Sequence, residues 1–298
     1  MTVRIGINPI TWSNDDLPEL GGDTPLEVCL AETKQAGYAG TEMGGKFPNR
    51  SSALRPILDK HGLKFVSGWY SAKLLERDAK AEIVAIADHL SLMAEMGCAV
   101  MVFAEGSGTT QADRKQPASR HRMIGESEWP DYARRLDAVA EHMAARGVKL
   151  AFHHHMGTPV QTEAEIDRLM QATGPAVGLL LDTGHATYAD IDSLQLARRY
   201  AKRIVHVHCK DVRRPVLDAA LKRDKSFLDA VLDGVFTVPG DGNVDFPPVL
   251  KHLSQEGYAG WLVVEAEQDP AKAHPLTYAK MGYDNLSRMA KAAGFRLA

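Results

Sequence analysis

The sequence has few cysteines and no long apolar run. Its three cysteines, Cys29, Cys98 and Cys209, are widely separated and form no CxxC pair. An odd, scattered set argues against both a disulfide framework and a structural zinc knot. The first residues, MTVRIGINPITW, lack the basic and apolar regions of a secretory signal, and no apolar run is long enough to span a membrane. We therefore expect a cytoplasmic protein without a membrane partner.

The charge balance also excludes partners. The formal net charge is -3, and acidic and basic residues are interspersed along the chain. Such a chain has no broad basic face of the kind that binds nucleic acid, so we expect no nucleic-acid partner. The length of 298 residues and the 45% hydrophobic content allow a large core, in one large α/β domain or two medium ones.

Short apolar runs alternate with longer amphipathic segments. The intervening segments, such as PLEVCLAETKQAG and WPDYARRLDAVAEHMAARG, have apolar residues at helical spacing and end in glycine. Alternation of strand and helix favours a parallel sheet, and eight units predict a single (β/α)8 TIM barrel over residues 1–298. A doubly wound open sheet is the main rival, but no GxGxxG follows the first strand. The eight candidate strands are residues 3–9, 38–43, 63–70, 99–105, 149–155, 177–185, 204–211 and 261–267.

Two polar segments are longer than the other connections. They cover about 105–129, after the fourth strand, and 212–243, after the seventh. Active sites of TIM barrels lie at the carboxyl ends of the strands, where such connections begin. We expect both segments to be long loops that cover a site.

Polar side chains at these strand ends predict a metal site. The segment KLAFHHH ends in three histidines, and side chains alternate inward and outward along a strand. If His153 points inward, it can meet Asp182, His208 and Glu265 from the next three strands. Two imidazoles and two carboxylates without a thiolate would bind Mn²⁺, Co²⁺, Fe²⁺, Zn²⁺ or Mg²⁺, and the imidazoles favour a transition metal.

The motifs DTGH, HCKD, PGDGNVDF and VVEAE, in this order, resemble those of the xylose isomerase-like barrel superfamily of sugar isomerases and epimerases. The resemblance covers nearly the whole chain. It implies a metal set of Glu, Asp, His and Glu from strands five to eight. Asp182, His208 and Glu265 match the last three positions, but LAFHHH places His153 where the first glutamate would stand.

Four stretches resemble, more narrowly, the inosose dehydratase family: GINPITWSNDDLPELGGDTPLE, GTEMGGKFP, HHHMGT and DTGHATYA. The resemblance implies Mn²⁺- or Co²⁺-dependent loss of water from 2-keto-myo-inositol (scyllo-inosose) in inositol catabolism. The product would be 3D-3,5/4-trihydroxycyclohexane-1,2-dione, formed through a metal-stabilised enediolate. The resemblance also implies a homo-oligomer whose small-molecule partner is a polyol ketone.

This chemistry needs a base for a carbon-bound proton and an acid for the departing hydroxyl. We expect Glu265 to bind the metal and act as the base, and His154 or His155 to protonate the hydroxyl. Glu42 and Lys210 are rival acid/base candidates. The candidate substrate contacts are His185, Asn8, Trp12, Trp69 and Tyr70, although the three aromatic residues are equally compatible with core packing.

Three other functions are compatible with the same barrel. A ketose or inosose isomerase or epimerase would return the proton to carbon without losing water. An apurinic endonuclease-like metalloenzyme would need more ligands and a basic face. A non-catalytic sugar-binding barrel would bind inosose without turnover.

Overall fold

The computed structural model describes residues 1–298 and contains one curled sheet of parallel strands. The main strands are apolar segments that are mostly buried on both faces, as is usual for parallel sheets covered by helices. A separate pair of antiparallel strands, Asp211–Val212 and Phe236–Thr237, lies outside this sheet. The strands are β1 (Thr2–Ile7), β2 (Gly40–Thr41), β3 (Lys64–Phe65), β4 (Trp69–Ala72), β5 (Val100–Glu105), β6 (Lys149–His153), β7 (Val177–Asp182), β8 (Ile204–Cys209), β9 (Asp211–Val212), β10 (Phe236–Thr237), β11 (Trp261–Val264) and β12 (Arg296–Leu297).

The strand pairing follows a closed circuit. The order is β3-β2-β1-β11-β8-β7-β6-β5-β4, with β12 beside β1. The two ends of this order, β3 and β4, are consecutive parts of one segment. Within that segment the Val66 N–H donates to the Thr41 carbonyl on one side, and the Val102 N–H donates to the Gly68 carbonyl on the other. The eight predicted strands and their parallel arrangement are therefore confirmed.

Most helices pack against the outside of the sheet and contribute to a core cluster of 58 buried residues. Local sequence signals explain several helix ends. Thr162 and Glu165 form a capping box at the start of α5, and Gly62 ends α2 in the left-handed conformation. No helix is long and apolar enough to cross a bilayer. The helices are α1 (Leu26–Gln35), α2 (Ser51–His61), α3 (Ala79–Glu95), α4 (Trp129–Ala145), α5 (Glu163–Ala172), α6 (Thr183–Tyr188), α7 (Ser193–Tyr200), α8 (Arg214–Lys222), α9 (Phe227–Leu232), α10 (Phe246–Gln255) and α11 (Pro275–Ala292).

The two long connections differ in structure. Segment 105–129 has only a short 3-10 turn, Ala118–Arg120. Segment 212–243, in contrast, is not an irregular loop, because it contains α8, α9 and strand β10. Its apolar residues account for most of a second cluster of 14 buried residues. The expectation of a loop was wrong here, since apolar residues at helical spacing lie between its charged ones.

The two segments contact each other above the carboxyl ends of the strands. Pro117 and Ser226 form an isolated antiparallel bridge. Arg114 forms an ion pair with Asp229 at 2.8 Å. The Ser119 hydroxyl donates to Asp224 at 2.7 Å. These contacts hold segment 105–129, which follows β5, against segment 212–243, which follows β8.

Candidate active site

Four side chains converge at the carboxyl ends of four neighbouring strands. His153 ends β6, Asp182 ends β7, His208 lies in β8 and Glu265 follows β11. Their ligand atoms all lie within 4.8 Å of one another. His153 Nε2 and His208 Nδ1 lie 3.5 Å and 3.4 Å from Asp182 Oδ2. The structure thus brings together the four residues that the strand periodicity predicts as one site.

The facing atoms of these residues are suited to a divalent cation. His153 Nε2, Asp182 Oδ2, His208 Nδ1 and Glu265 Oε2 are all buried and have no hydrogen-bond partner. Four orphaned polar atoms at one point are costly unless a ligand satisfies them. Two imidazoles with two carboxylates form a donor set that transition metals prefer. These residues therefore fit the metal that the family resemblance implies.

The tautomers of both histidines leave a lone pair at this point. His153 Nδ1 lies 2.8 Å from the His154 carbonyl oxygen, which can only accept, so Nδ1 carries the proton and Nε2 is free. His208 Nε2 lies 3.2 Å from Glu42 Oε1, which assigns a proton to Nε2, and Nδ1 faces the carboxylates of Glu265 and Asp182, where an ion would take the place of any second proton. Such outer partners orient the ring of a metal-binding histidine and increase its basicity.

Glu42 lies behind the four ligands, at the end of the second barrel strand. Its Oε1 also accepts from His206 Nε2 at 2.8 Å, and its Oε2 accepts from Asn8 Nδ2 at 2.9 Å. Burial raises the pKa of Glu42, but His208 and His206 outweigh it and hold the pKa well below its usual range. Glu42 is therefore an ionised residue that fixes His208.

Lys210 is the buried cation of the site. Its Nζ donates to Glu267 Oε1 at 2.7 Å, and it lies 3.1 Å from Glu265 Oε1 and 3.0 Å from His185 Nε2. Burial lowers the pKa of Lys210, but Glu265, Glu267 and Asp182 outweigh it and raise the pKa above its ordinary value. The ammonium group therefore stays charged and holds the two glutamates in place.

A cavity of about 270 Å³ opens above the ligands. This volume is near the lower limit for ligand sites and suits a small molecule. Asn8, Trp69, His155, Glu265 and Glu267 are among its lining residues, with residues 14–16 and Gln111 from the covering loops. The Trp69 ring packs edge-on against both His153 and His155 and provides an apolar wall.

The three consecutive histidines occupy different environments. His155 lines the cavity, and its Nδ1 lies 2.8 Å from the Met156 carbonyl oxygen. His154 is fully buried away from the lining, without a partner for either ring nitrogen, and burial lowers its pKa to about 3. His185 lies behind His155 at 3.8 Å between ring centroids. Burial also lowers the pKa of His155 and His185, so the rings of His154, His155 and His185 are neutral.

Three predicted substrate contacts lie outside the cavity lining: His185, which is behind His155, Trp12 and Tyr70. Trp12 is buried in the core, where its indole N–H donates to Glu32 at 2.6 Å. The Tyr70 hydroxyl donates to Glu82 at 2.5 Å, and its ring packs against the core. Neither side chain lines the cavity. Both aromatic residues therefore have the core-packing role, because a carboxylate accepts the hydrogen bond of the polar atom of each, Glu32 for Trp12 and the buried Glu82 for Tyr70.

Sequence reasoning assigned no site role to six polar residues that line the cavity: Asn14, Asp15, Asp16, Ser71, Gln111 and Glu267. A signal existed for Glu267, since it lies two positions beyond Glu265 on the same face of the strand end. The polar run SNDD, which follows the first strand, was a signal for Asn14 and Asp16. Nothing in the sequence distinguishes Gln111 from its polar neighbours.

The family model described as xylose isomerase-like TIM barrel matches residues 30–289. The chain belongs to the xylose isomerase-like TIM barrel family. Among its relatives in this family, the rhizopine catabolism protein MocC of Rhizobium meliloti is 59% identical over the whole chain and 92% of its own length. The inosose dehydratases of Clostridium tetani and Geobacillus thermodenitrificans are 42% and 43% identical, each over 93% of this chain and 94% of their own. The predicted resemblance to inosose dehydratases is confirmed.

Similar solved structures support the fold alone. An L-ribulose 3-epimerase structure is 18% identical, covers 98% of this chain and 96% of its own, and has a TM-score of 0.69. The probable 3-DHS dehydratase AsbF from Bacillus anthracis is 13% identical, covers 96% and 99%, and has a TM-score of 0.70. Proteins named for different reactions thus share this barrel, so the fold does not identify the reaction and the residues of the site must do so.

Proposed function

We propose that this protein is a metal-dependent hydro-lyase of inositol catabolism. It converts 2-keto-myo-inositol into 3D-3,5/4-trihydroxycyclohexane-1,2-dione and water, with Mn²⁺ or Co²⁺ as the cofactor. The observation that carries the proposal is the set of four orphaned ligand atoms beside a small polar cavity. The inosose dehydratase relatives, at 40–43% identity over nearly the full length, support the reaction class.

His153, Asp182, His208 and Glu265 would hold the ion. A divalent ion supplies Lewis-acid polarisation of the ketone, which makes the neighbouring carbon-bound proton easier to remove. Glu42 keeps His208 in the tautomer and orientation that this requires. Lys210 fixes Glu265 through one carboxylate oxygen, which leaves the other oxygen directed at the site.

Cavity access separates the acid/base candidates. Glu42, His154 and Lys210 are buried and absent from the lining, whereas Glu265 and His155 line it. Glu265 is therefore our candidate to take the proton from carbon, and His155 to deliver one to the departing hydroxyl. The Met156 carbonyl accepts the Nδ1 proton of His155, so the transferred proton is carried on Nε2. For the protons to balance, the proton that Glu265 takes from carbon must pass to His155 Nε2 and then to the departing hydroxyl, which leaves as water.

The direct test offers 2-keto-myo-inositol to metal-stripped protein, with and without added Mn²⁺ or Co²⁺, and follows the product by mass spectrometry. We expect the loss of one water only when the metal is present. An unchanged mass with a new sugar isomer would make the protein an isomerase or epimerase. Equal turnover in the stripped protein would contradict metal dependence.

The proton donor is tested with two neighbouring histidines. We expect His155→Ala to lower kcat by about 10²- to 10⁴-fold, the range of general acid/base catalysis. His154→Ala is the matched control, because His154 lies outside the cavity lining and should mainly affect stability. If His155→Ala keeps full turnover, the leaving-group assignment is wrong.

A step of rhizopine catabolism is a second candidate function, because the relative named for that process is 59% identical. The two candidates are separated by offering rhizopine and 2-keto-myo-inositol in parallel to the same metal-loaded protein. Conversion of 2-keto-myo-inositol supports the dehydratase. Conversion of rhizopine alone would favour the second candidate.

A further inference from the structure

We propose that Asn14, Asp16 and Gln111 form a subsite that recognises ring hydroxyls of the bound cyclic polyol and thereby selects the substrate. The inference rests on the proposed function and extends it from the reacting carbons to the rest of the ring. We call these three residues the roof subsite. They lie on connections that cover the strand ends, whereas the metal-ligand atoms lie at the strand ends themselves.

Asn14 has an unused donor at the cavity. The residue is only 2% exposed, and its Oδ1 accepts from the backbone N–H groups of Asp16 and Leu17 at 2.9 Å and 3.1 Å. Its Nδ2 has no hydrogen-bond partner, although the residue lines the cavity. A buried amide without an acceptor costs about 1–3 kcal/mol. The side chain is thus fixed by its oxygen and keeps an N–H₂ group without an acceptor beside the cavity, which suits a ligand oxygen.

Asp16 and Gln111 meet across the cavity from different connections. Gln111 Nε2 lies 3.4 Å from Asp16 Oδ2, and both residues line the cavity. This distance exceeds the usual 2.7–3.2 Å, so the contact is weak and easily exchanged. A hydroxyl between them can donate to the carboxylate and accept from the amide at once. A ring hydroxyl therefore satisfies both side chains better than they satisfy each other.

Both connections are anchored, so the roof subsite exists before a ligand arrives. The Thr110 N–H and the Thr109 hydroxyl both donate to the Gly157 carbonyl, at 2.8 Å and 3.0 Å. On the other side, the Gly45 N–H donates to Asp15 Oδ2 at 2.8 Å. Anchored hydrogen-bonding groups lose little conformational entropy on binding, which favours affinity and selectivity.

Gly157 shows how closely the two connections approach. Its φ is +83°, and a Cβ atom added there would lie 2.7 Å from the Gln111 backbone nitrogen. Only glycine both adopts this conformation readily and leaves room for Gln111. The loop that carries the three histidines therefore also sets the position of the roof.

The chemical class of the ligand follows from these groups. An amide donor, a carboxylate acceptor and a second amide match neutral hydroxyls, which both donate and accept. A site built to bind a hydroxyl discriminates against an analogue that lacks it, because its own polar groups are then left unpaired. Asp16 lies at the exposed rim, so we expect discrimination of about 10- to 100-fold, well below that of fully buried sites.

The test combines residue changes with substrate changes. Asn14→Ser, Asp16→Asn and Gln111→Ala are compared with the unaltered protein on 2-keto-myo-inositol and on inososes that each lack or invert one ring hydroxyl. Serine at position 14 keeps an acceptor for the turn but lacks the amide donor. We expect each variant to lower kcat/KM for 2-keto-myo-inositol by about 10- to 100-fold. On the analogue in which the hydroxyl contacted by the changed residue is missing or inverted, we expect the variant and the unaltered protein to have nearly the same kcat/KM.

Two matched controls lie on the same connections. Glu19→Gln repeats the acid-to-amide change of Asp16→Asn, and Gln116→Ala repeats the change of Gln111→Ala. Both control side chains are exposed and lie outside the cavity lining. We expect both controls to keep the kcat/KM of the unaltered protein. Circular dichroism and the melting temperature check that all variants are folded.

Equilibrium binding to metal-loaded protein separates this inference from the proposed function. Losses that are equal for every analogue, in both kcat/KM and affinity, would overturn the roof subsite while the dehydratase remains. Binding of 2-keto-myo-inositol without turnover would overturn the proposed reaction. The affinities of the variants for the same analogues would then show whether the roof subsite selects ring hydroxyls. Absence of both turnover and binding for every inosose would overturn both.

Discussion

Gly184 leaves the space that the Lys210 side chain fills. A Cβ atom at this position would lie 2.4 Å from Lys210 Cγ and 2.5 Å from Cδ. Gly184→Ala should therefore push the ammonium group away from Glu265 and Glu267. We expect the free energy of unfolding to fall by about 1–3 kcal/mol, typical of overpacking, together with a loss of turnover. Denaturant unfolding and kcat measure both effects.

Gly174→Ala is the control for this prediction. An added Cβ there would meet nothing closer than Asp137 Oδ1 at 3.4 Å, which is an ordinary contact. We expect it to change the free energy of unfolding and turnover much less than Gly184→Ala. Equal effects of the two changes would contradict the assigned role of Gly184.

Glu42 determines how well His208 can bind an ion. Glu42→Gln removes the negative charge of the carboxylate whose Oε1 both His206 and His208 contact, and it turns one acceptor oxygen into a donor. We expect the affinity for Mn²⁺ to fall by about 10- to 100-fold, as for other partners of metal-binding histidines. Titration calorimetry measures it, with Glu32→Gln as a control that contacts Trp12 instead. Unchanged affinity would exclude the positioning role.

Single-residue environments were only partly predictable from the sequence. The two-residue period of a strand predicted that His153, Asp182, His208 and Glu265 share one point, because backbone geometry alone fixes it. The period does not specify side-chain partners. Trp12 and Tyr70 were therefore placed beside the substrate, whereas Glu32 and Glu82, which are distant in sequence, hold them in the core.

The connection after β8 is fastened by one carboxylate. Asp211 Oδ1 accepts from the backbone N–H groups of Val212 and Val244, and Oδ2 accepts from those of Gly240 and Gly242. Asp211→Ala leaves four donors without their acceptor. At about 1 kcal/mol for each lost bond, we expect destabilisation by several kcal/mol. Hydrogen exchange should show faster exchange of the amides of residues 240–244.

Asp211→Asn keeps one acceptor oxygen and is the graded control. We expect its effect on exchange to lie between that of the unaltered protein and that of Asp211→Ala. If both variants exchange like the unaltered protein, Asp211 does not fasten the connection.

The end of β5 carries a pH-dependent contact. Glu105 is buried and accepts from the N–H groups of Leu74 and Ser107. Burial raises its pKa from 4.5 to about 7, with Glu82 adding to the increase and these bonds opposing it. A carboxyl group whose pKa is higher in the folded than in the unfolded protein stabilises the fold when it is protonated, so its contribution is complete below the unfolded pKa. This contribution is lost as pH rises through about 4.5 to 7.

Glu105→Gln removes this titration. We expect the stability of the unaltered protein relative to the variant to fall by about 3 kcal/mol between these pH limits. Urea unfolding across the range measures it, and Glu141→Gln at an exposed position should show no such trend. A constant difference between the two proteins would contradict the raised pKa.

At the level of elements, alternation predicted the eight barrel strands because buried parallel strands are short apolar runs between amphipathic helices. It did not predict the break between β3 and β4, which depends on pairing with two different neighbours. It also missed α8 and α9, because these short helices lie among charged residues. The cluster that stabilises them includes Met156 and Tyr188 from other parts of the chain.

Removal of the metal should lower the free energy of unfolding of the whole protein. Without an ion, four buried polar atoms at the strand ends lack partners. An ion that binds only the folded state adds about 2.7 kcal/mol at a concentration of 100 Kd. We expect a chelator to lower the melting temperature by several degrees and Mn²⁺ or Co²⁺ to restore it. Asp182→Asn should reduce this response, and an identical melting curve with chelator would contradict the metal site.

The pairing of β1 with both β11 and β12 links the beginning and the end of the chain. During synthesis on the ribosome, β1 emerges before its partner strands, of which β2 is the first to follow and occupies one side. Its other edge stays open until residues 261–264 have been made. Open edges and late, distant pairing are the conditions under which nascent chains associate wrongly. Chaperone dependence of the newly made chain should therefore persist until its last tenth has emerged.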